Sequence, residues 1–375
     1  MLAAGTFAQS TYSAIWFGVA VLAPALRDEY DLSLAQTGVL ISASLLGSVL
    51  TLVPWGMAAD RFGERAVLVV GIGLCGGALL LATQAHSFWA LFACLFATGL
   101  AGASVHSSSG RAVMSWFPAR QRGLALGIRQ TAIPIGGFAV SLFIPPIEHA
   151  FGIPWAFGAL GAACLAAAVI GGLVLREGAP DDDAVHIGPA PLRDTRVWSL
   201  AAGSALVVAP QMCVVGFAVL FLHDRRGLSP GAAAGVLAAI QLCGIGARIG
   251  AGRWSDVAGD RIAPLRAIAL ASAVLTFVTA LLVGAPLWLL VPSLVATGVF
   301  AMSWNGLAFA AATEIAGRAR SGAAIGLQQT VLNAVGAAYP PLFGVLVAAT
   351  SWGWGFASIA LLPLAGRHVL RALRA

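Results

Sequence analysis

Arg248 and Arg129 are the residues in this chain whose type and position ask for chemistry. Arg248 stands eight residues before Asp256 in an otherwise apolar stretch, which on a helix places it about 12 Å from the polar loop that follows. Snorkelling over that distance is difficult, and an arginine held in lipid usually faces a cavity and has a partner. The fifteen acidic residues all lie in polar gaps or at the ends of apolar stretches; Glu148 and Glu314 come nearest, each in a terminal turn. A guanidinium with no carboxylate at its own depth points to a small anion held bidentately as its counter-ion. The alternatives are packing against backbone carbonyls and snorkelling. Arg129, seven residues past Arg122, is nearer the surface, where a vestibule role and an anion contact are equally open.

His106 is the titratable side chain near the middle of an apolar stretch whose ordinary pKa lies close to neutrality, so it is the candidate for proton coupling; the alternative is a hydrogen bond to a neighbouring helix. Ser107, Ser108 and Ser109 follow it, but adjacent residues on a helix point in different directions. No HExxH motif is present and no carboxylate pair lies within an apolar stretch, so an enzyme is not expected. Tyr12, Trp16, Gln211, Gln241, Trp304, Asn305, Gln328 and Asn333 are polar or amphipathic side chains within apolar stretches, where each needs an internal partner, and they are candidate wall residues of a substrate path. The five cysteines are scattered singly and read as small core residues, so no metal or cofactor is expected.

The elements that carry these residues follow from composition. Apolar residues make up 59% of the 375, before 45 glycines are added, and charged residues only 10%, too few to cover a globule in water. Apolar stretches run at about 6–26, 35–57, 66–84, 88–113, 123–147, 152–175, 198–222, 231–252, 264–284, 287–311, 322–347 and 352–370, which predicts twelve membrane-spanning helices. The first is too long for a signal peptide's apolar core and is read as a retained helix. A polar segment with Asp181, Asp182 and Asp183 divides the spans six and six, giving bundles at 1–176 and 197–375 joined by a linker at 177–196. All 21 basic residues are arginines; with the N-terminus in the cytoplasm, sixteen fall in gaps or near stretch ends on that side and three, Arg27, Arg225 and Arg226, on the other. That bias predicts that both termini are cytoplasmic, and the scattered placement argues against nucleic-acid binding.

The two halves repeat. Gly56-Met-Ala-Ala-Asp60-Arg61-Phe-Gly63-Glu64-Arg65 matches Gly252-Arg-Trp-Ser-Asp256-Val-Ala-Gly259-Asp260-Arg261 at an offset of 196, and Arg122 to Thr131 matches Ser321 to Thr330 at 199. The first of these resembles the most characteristic motif of the major facilitator superfamily, complete at Gly56, Asp60, Arg61, Gly63 and Arg65; in the second copy Val257 stands where the first has Arg61. The resemblance implies an all-α membrane protein of two pseudo-symmetric six-helix bundles around a central cavity, a secondary transporter working by alternating access. It also implies that Asp60, Arg61 and Arg65, with Asp256 and Arg261 in the second copy, latch the cytoplasmic side. Asp60 has the further possibility of capping free helix N–H groups.

Around Arg248 the chain reads Ala247-Arg248-Ile-Gly250-Ala-Gly252-Arg-Trp-Ser255-Asp256, similar to the oxalate/formate and monocarboxylate branch of that family, in which the arginine of this span binds the substrate carboxylate. Leu52, at the equivalent position of the first half, departs from the paired arginines of the family's nitrate transporters. The expectation is a monomeric transporter of a small organic anion, a monocarboxylate, in a bacterial inner membrane, driven by proton symport or anion exchange. The alternative is a proton-driven exporter of amphipathic drugs or metabolites, prompted by Pro134-x-Gly136-Gly137, similar to part of the family's drug-antiporter motif, although Ile133 replaces its glycine.

Overall fold

A computed structural model describes residues 2–116, 130–175, 193–316 and 321–373, with side chains except those of 2, 3, 60, 106–116, 321 and 322. The fold is nearly all helix. In chain order the helices are α1 (Leu2–Tyr30), α2 (Leu34–Phe62), α3 (Glu64–Ala82), α4 (Phe88–Trp116), α5 (Ala132–Phe151), α6 (Ile153–Val174), α7 (Thr195–Val207), α8 (Gly216–Arg226), α9 (Pro230–Ala258), α10 (Ile262–Leu281), α11 (Leu287–Met302), α12 (Asn305–Ala316), α13 (Ser321–Ala349) and α14 (Trp352–Val369). Among the described residues eleven helical stretches are long and apolar enough to cross a membrane, with α7–α8 and α11–α12 each forming one stretch. α1 is equally long, at 29 residues, but carries buried Gln9, Ser10, Thr11 and Ser13, which dilute its apolar content. The observed helices overrun the predicted first span at both ends.

Local chemistry sets the boundaries. Ser33 and Gln36 form a reciprocal capping box that starts α2. The loop glycine of each repeat copy, Gly63 (φ 83°) and Gly259 (φ 63°), takes the left-handed conformation that side chains disfavour, and so permits the tight turn into the next helix. Pro210 cannot donate to the carbonyl one turn back; a π-turn, Gln211–Val215, follows it and joins α7 to α8. A second interruption, at Ser303–Trp304, separates α11 from α12, and the Ser303 hydroxyl donates to the Val299 carbonyl at 2.6 Å.

The chain divides into two compact units, residues 1–181 with 219–241 and residues 182–218 with 242–375. In the first, α4 packs between α2 and α3, while α1 lies against α5 and α6. The α2–α4 contact is backbone to backbone: a Cβ added to Gly99 would lie 2.0 Å from the Ser44 carbonyl oxygen, and one on Gly47 would lie 2.2 Å from that of Phe96. Small residues permit this approach, which lipid-embedded helices need because no hydrophobic drive brings them together. In the second unit α14 packs on α7 and α10, and α12 lies against α7 and α13. Phe217, Phe343 and Phe356 supply its aromatic centre, with ring centroids 5.2 and 5.5 Å apart along that chain. Arg266, at the start of the predicted span 264–284, is buried in the second turn of α10.

Candidate functional site

Arg248 projects from α9 in the second unit, half-buried, and its Nε donates to the carbonyl of Met302 at 2.9 Å. Met302 ends α11, so its carbonyl belongs to a last turn that lacks intrahelical donors. The interruption at Ser303–Trp304 therefore supplies an acceptor that orients the guanidinium. Gly244, one turn before Arg248, lies against the same residue: a Cβ there would be 3.8 Å from the Met302 sulfur. Packing against a carbonyl, one of the alternatives the sequence allows for Arg248, is thus present; it orients the group.

Trp304 is buried and Asn305 begins α12. The Trp304 carbonyl accepts from Ala308 N at 3.1 Å, which places Trp304 at the cap of α12 and leaves the first N–H groups of that helix at its positive end. Neither the Trp304 indole Nε1 nor the Asn305 Oδ1 has a hydrogen-bond partner among the described residues. A backbone-fixed arginine beside the start of a half-helix, with polar groups awaiting partners, is suited to a small anion.

The other expected wall residues divide between the units. In the second, Gln211 opens the π-turn and is buried, Gln328 is buried and donates through Nε2 to Ser204 Oγ at 3.2 Å, and Asn333 Oδ1 accepts from Gln329 at 2.8 Å. In the first, Tyr12 packs on Gly102 so closely that a Cβ there would sit 1.9 Å from the ring, and Trp16 meets Phe17 edge-on at 4.5 Å. Gln241 is fully buried with its amide against Gly137, where a Cβ would approach it to 2.5 Å. The diglycine of the partial antiporter motif has a packing role here: Gly136 lets α5 approach the Ser10 carbonyl, and Gly137 makes room for Gln241. His106 lies in α4, but its side chain and the whole of Arg129 are outside the described residues, as is the Asp60 side chain.

The loop motif is clearest in the second copy. Arg261 binds Asp256 and the Ser255 hydroxyl, and its Nε donates to Glu314 Oε1 at 2.9 Å. Partial burial lowers the guanidinium pKa, but the hydrogen bonds and charges of Glu314 and Asp256 outweigh this and hold it above its usual value. Capping falls to Asp260, whose Oδ1 accepts from Ile262 N at 2.7 Å, and not to the motif aspartate. In the first copy the Arg61 guanidinium lies 5.3 Å from the centre of the Phe62 ring, Arg65 is exposed and Glu64 is buried. Neither Gly56 nor Gly252 has a neighbour within 4 Å of where a Cβ would stand, and nothing within either unit explains them. Sequence reasoning missed Glu314 as the partner of Arg261, although its place in a helix-terminal turn was the available signal. It also missed the ion pair of Arg27 with Asp224, since Arg27 was read only as an orienting charge.

These observations define a multi-pass helical membrane protein with a duplicated architecture. The chain belongs to the Major Facilitator Superfamily, whose family profile matches residues 5–265, and it is a transporter rather than an enzyme. It is 37% identical over 356 residues to an uncharacterized MFS-type transporter of Mycobacterium tuberculosis, covering 93% of this chain and 79% of that one. A probable sulfoacetate transporter of Cupriavidus necator is 31% identical over 147 residues, 39% of this chain and 34% of that one. A solved structure of a bacterial homolog of the human lysosomal transporter Spinster, inward-facing and occupied, superposes with a TM-score of 0.78 at 15% identity, over 99% of this chain and 95% of that one, which establishes the fold alone.

Proposed function

We propose that this transporter moves a small organic anion, a monocarboxylate, past Arg248 by alternating access in a bacterial inner membrane. The observation that carries the reading is the guanidinium of Arg248, fixed by the Met302 carbonyl at the interruption between α11 and α12. The relative named for sulfoacetate supports an anionic cargo. Leu52, where a second arginine would stand, favours a single charge on the substrate. Arg129 and the wall residues Tyr12, Trp16, Gln211, Gln241, Trp304, Asn305, Gln328 and Asn333 complete the path in this reading. Asp60, Arg61, Arg65, Asp256 and Arg261, with Gly56 and Gly63, form the gate. His106 titrates in proton symport; with anion exchange it would not. The six-helix bundles at 1–176 and 197–375, the linker between them, cytoplasmic termini and a monomeric state belong to the same proposal.

Uptake of radiolabelled monocarboxylates into proteoliposomes tests it. Wild-type protein is expected to accumulate the anion and Arg248→Gln to lose uptake; unchanged uptake in that variant overturns the reading. Under proton symport an imposed pH gradient accelerates uptake in the wild type and not in His106→Gln. Efflux of a lipophilic cation without any anion dependence would favour the exporter of amphipathic compounds instead.

A further inference from the structure

Four polar side chains on neighbouring elements of the second unit keep a buried atom with no hydrogen-bond partner among the described residues: Gln211 Oε1, Trp304 Nε1, Asn305 Oδ1 and Gln328 Oε1. Three of them are more than nine-tenths buried, with relative exposures of 4% for Gln211, 1% for Trp304 and 0% for Gln328. Their elements meet: the π-turn that begins at Gln211 packs against α11 and α13, and α12 packs against α13 and α7. Trp304 and Asn305 directly follow the stretch whose Met302 carbonyl fixes Arg248. Folded proteins rarely leave so many buried polar groups unsatisfied on adjoining elements, because each is expensive.

The chemistry of the four narrows what would satisfy them. None is charged, so a second ionic group on the ligand is not called for. An indole nitrogen only donates, whereas a carboxamide donates from one end and accepts at the other, whichever way it is turned. A hydroxyl both donates and accepts, so it matches an indole N–H and either end of an amide. An apolar tail would bury these atoms without partners and bind more weakly for it.

Resting on the reading that Arg248 holds the charged end, we propose that the cargo is a hydroxylated monocarboxylate whose hydroxyl groups are recognised by Trp304 and Asn305, with Gln211 and Gln328 extending the same set. The carboxylate supplies the anchor and the hydroxyls supply the selectivity. A site built to hydrogen-bond a substrate hydroxyl rejects the analogue that lacks it more strongly than an apolar site rejects a missing methylene.

Dissociation constants of propionate, lactate, glycerate and gluconate, measured by calorimetry on the purified full-length protein, test this with acids that share one carboxylate and differ in hydroxyl number. Glycerate is expected to bind at least about tenfold more tightly than propionate. Trp304→Phe, which keeps the ring and removes the N–H, and Asn305→Leu are each expected to shrink that ratio at least about threefold. The ratio is internal to each variant, so a loss of active protein does not imitate the result, and the wild-type series alone can refute it. A wild-type ratio within about twofold of one, with Arg248→Gln still abolishing binding of every acid, overturns the hydroxyl proposal and leaves the anion reading standing. Binding of the acids that is unaffected by Arg248→Gln, or no binding by any of the four, overturns both.

Discussion

The fourth and tenth spans are copies of one another, at the offset of 199 residues, and the chain uses them differently. α4 runs unbroken from Phe88 to Trp116, through Ala103, Ser104 and Val105. Its counterpart stops at Met302 and restarts at Asn305, so that Ser303 and Trp304, the equivalents of Ser104 and Val105, lie outside the helix. The surroundings give the reason. α4 is gripped on both sides, by the Ser44 carbonyl against Gly99 and by Ser104 against Gly71, where a Cβ would come within 1.7 Å of the serine hydroxyl. An interruption there would dismantle two close helix contacts. At the tenth span Gly306 has nothing within 4 Å of the position a Cβ would take, and the freed Met302 carbonyl finds Arg248. One copy of the duplicated unit is a packing element; the other exposes backbone groups to a polar side chain, as transporter helices do near their cargo.

Four experiments break or sharpen that contrast. The largest effect is expected from Gly99→Leu, which forces a side chain into the Ser44 backbone and should cost at least ~3 kcal/mol, read as loss of monodisperse protein in size-exclusion chromatography. A stable Gly99→Leu protein would mean that α4 is not held as described. Next comes Arg248→Gln, expected to lower carboxylate uptake at least about 100-fold while the melting temperature of the purified protein changes little. If melting falls as far as uptake, the arginine is a packing element like α4 and the contrast between the spans fails. Glu314→Gln removes one of the acceptors of Arg261 at the far end of α12; uptake is expected to slow by about fivefold with substrate affinity retained, because the pair is partly exposed and solvent-screened pairs contribute ~1 kcal/mol or less. Equilibrium binding alongside initial-rate uptake separates the two quantities. The smallest effect is expected from Gly306→Ala, within ~1 kcal/mol of wild-type stability, since the added methyl meets no neighbour. A large loss would show that the start of α12 is more crowded than the described structure makes it.

Legibility in the sequence followed the same division. The spans were readable because apolar length is set by bilayer thickness, and the loop motif was readable because Gly63 and Gly259 occupy a backbone conformation that few other residues accept. Arg248 was readable from its depth alone. What fixes it was not, because Met302 contributes a backbone carbonyl and its side chain carries no signal of that role. The helix interruption left only weak traces: Ser303, Asn305 and Gly306 are poor helix formers, but so are many residues that stay helical when packed. The same holds for Glu314, which reads as an ordinary helix-end acid until the turn at Gly259 brings Arg261 to it. The break in the seventh span was not read at all: 198–222 counts as one unbroken stretch, and nothing in the type of Pro210 specifies a π-turn with Gln211 at its start.

By itself the sequence determined that this chain lives in lipid, that its halves are duplicates, and that charge is almost excluded from its spans, since each of these follows from composition, length and spacing. Tertiary structure decided which copy of each helix would be broken, which acid would take Arg261, and which backbone group would orient Arg248. Those outcomes depend on close approach between residues far apart in the chain, and only a neighbour's backbone, pressed to within a few ångströms or withdrawn, settles whether a helix can afford to open.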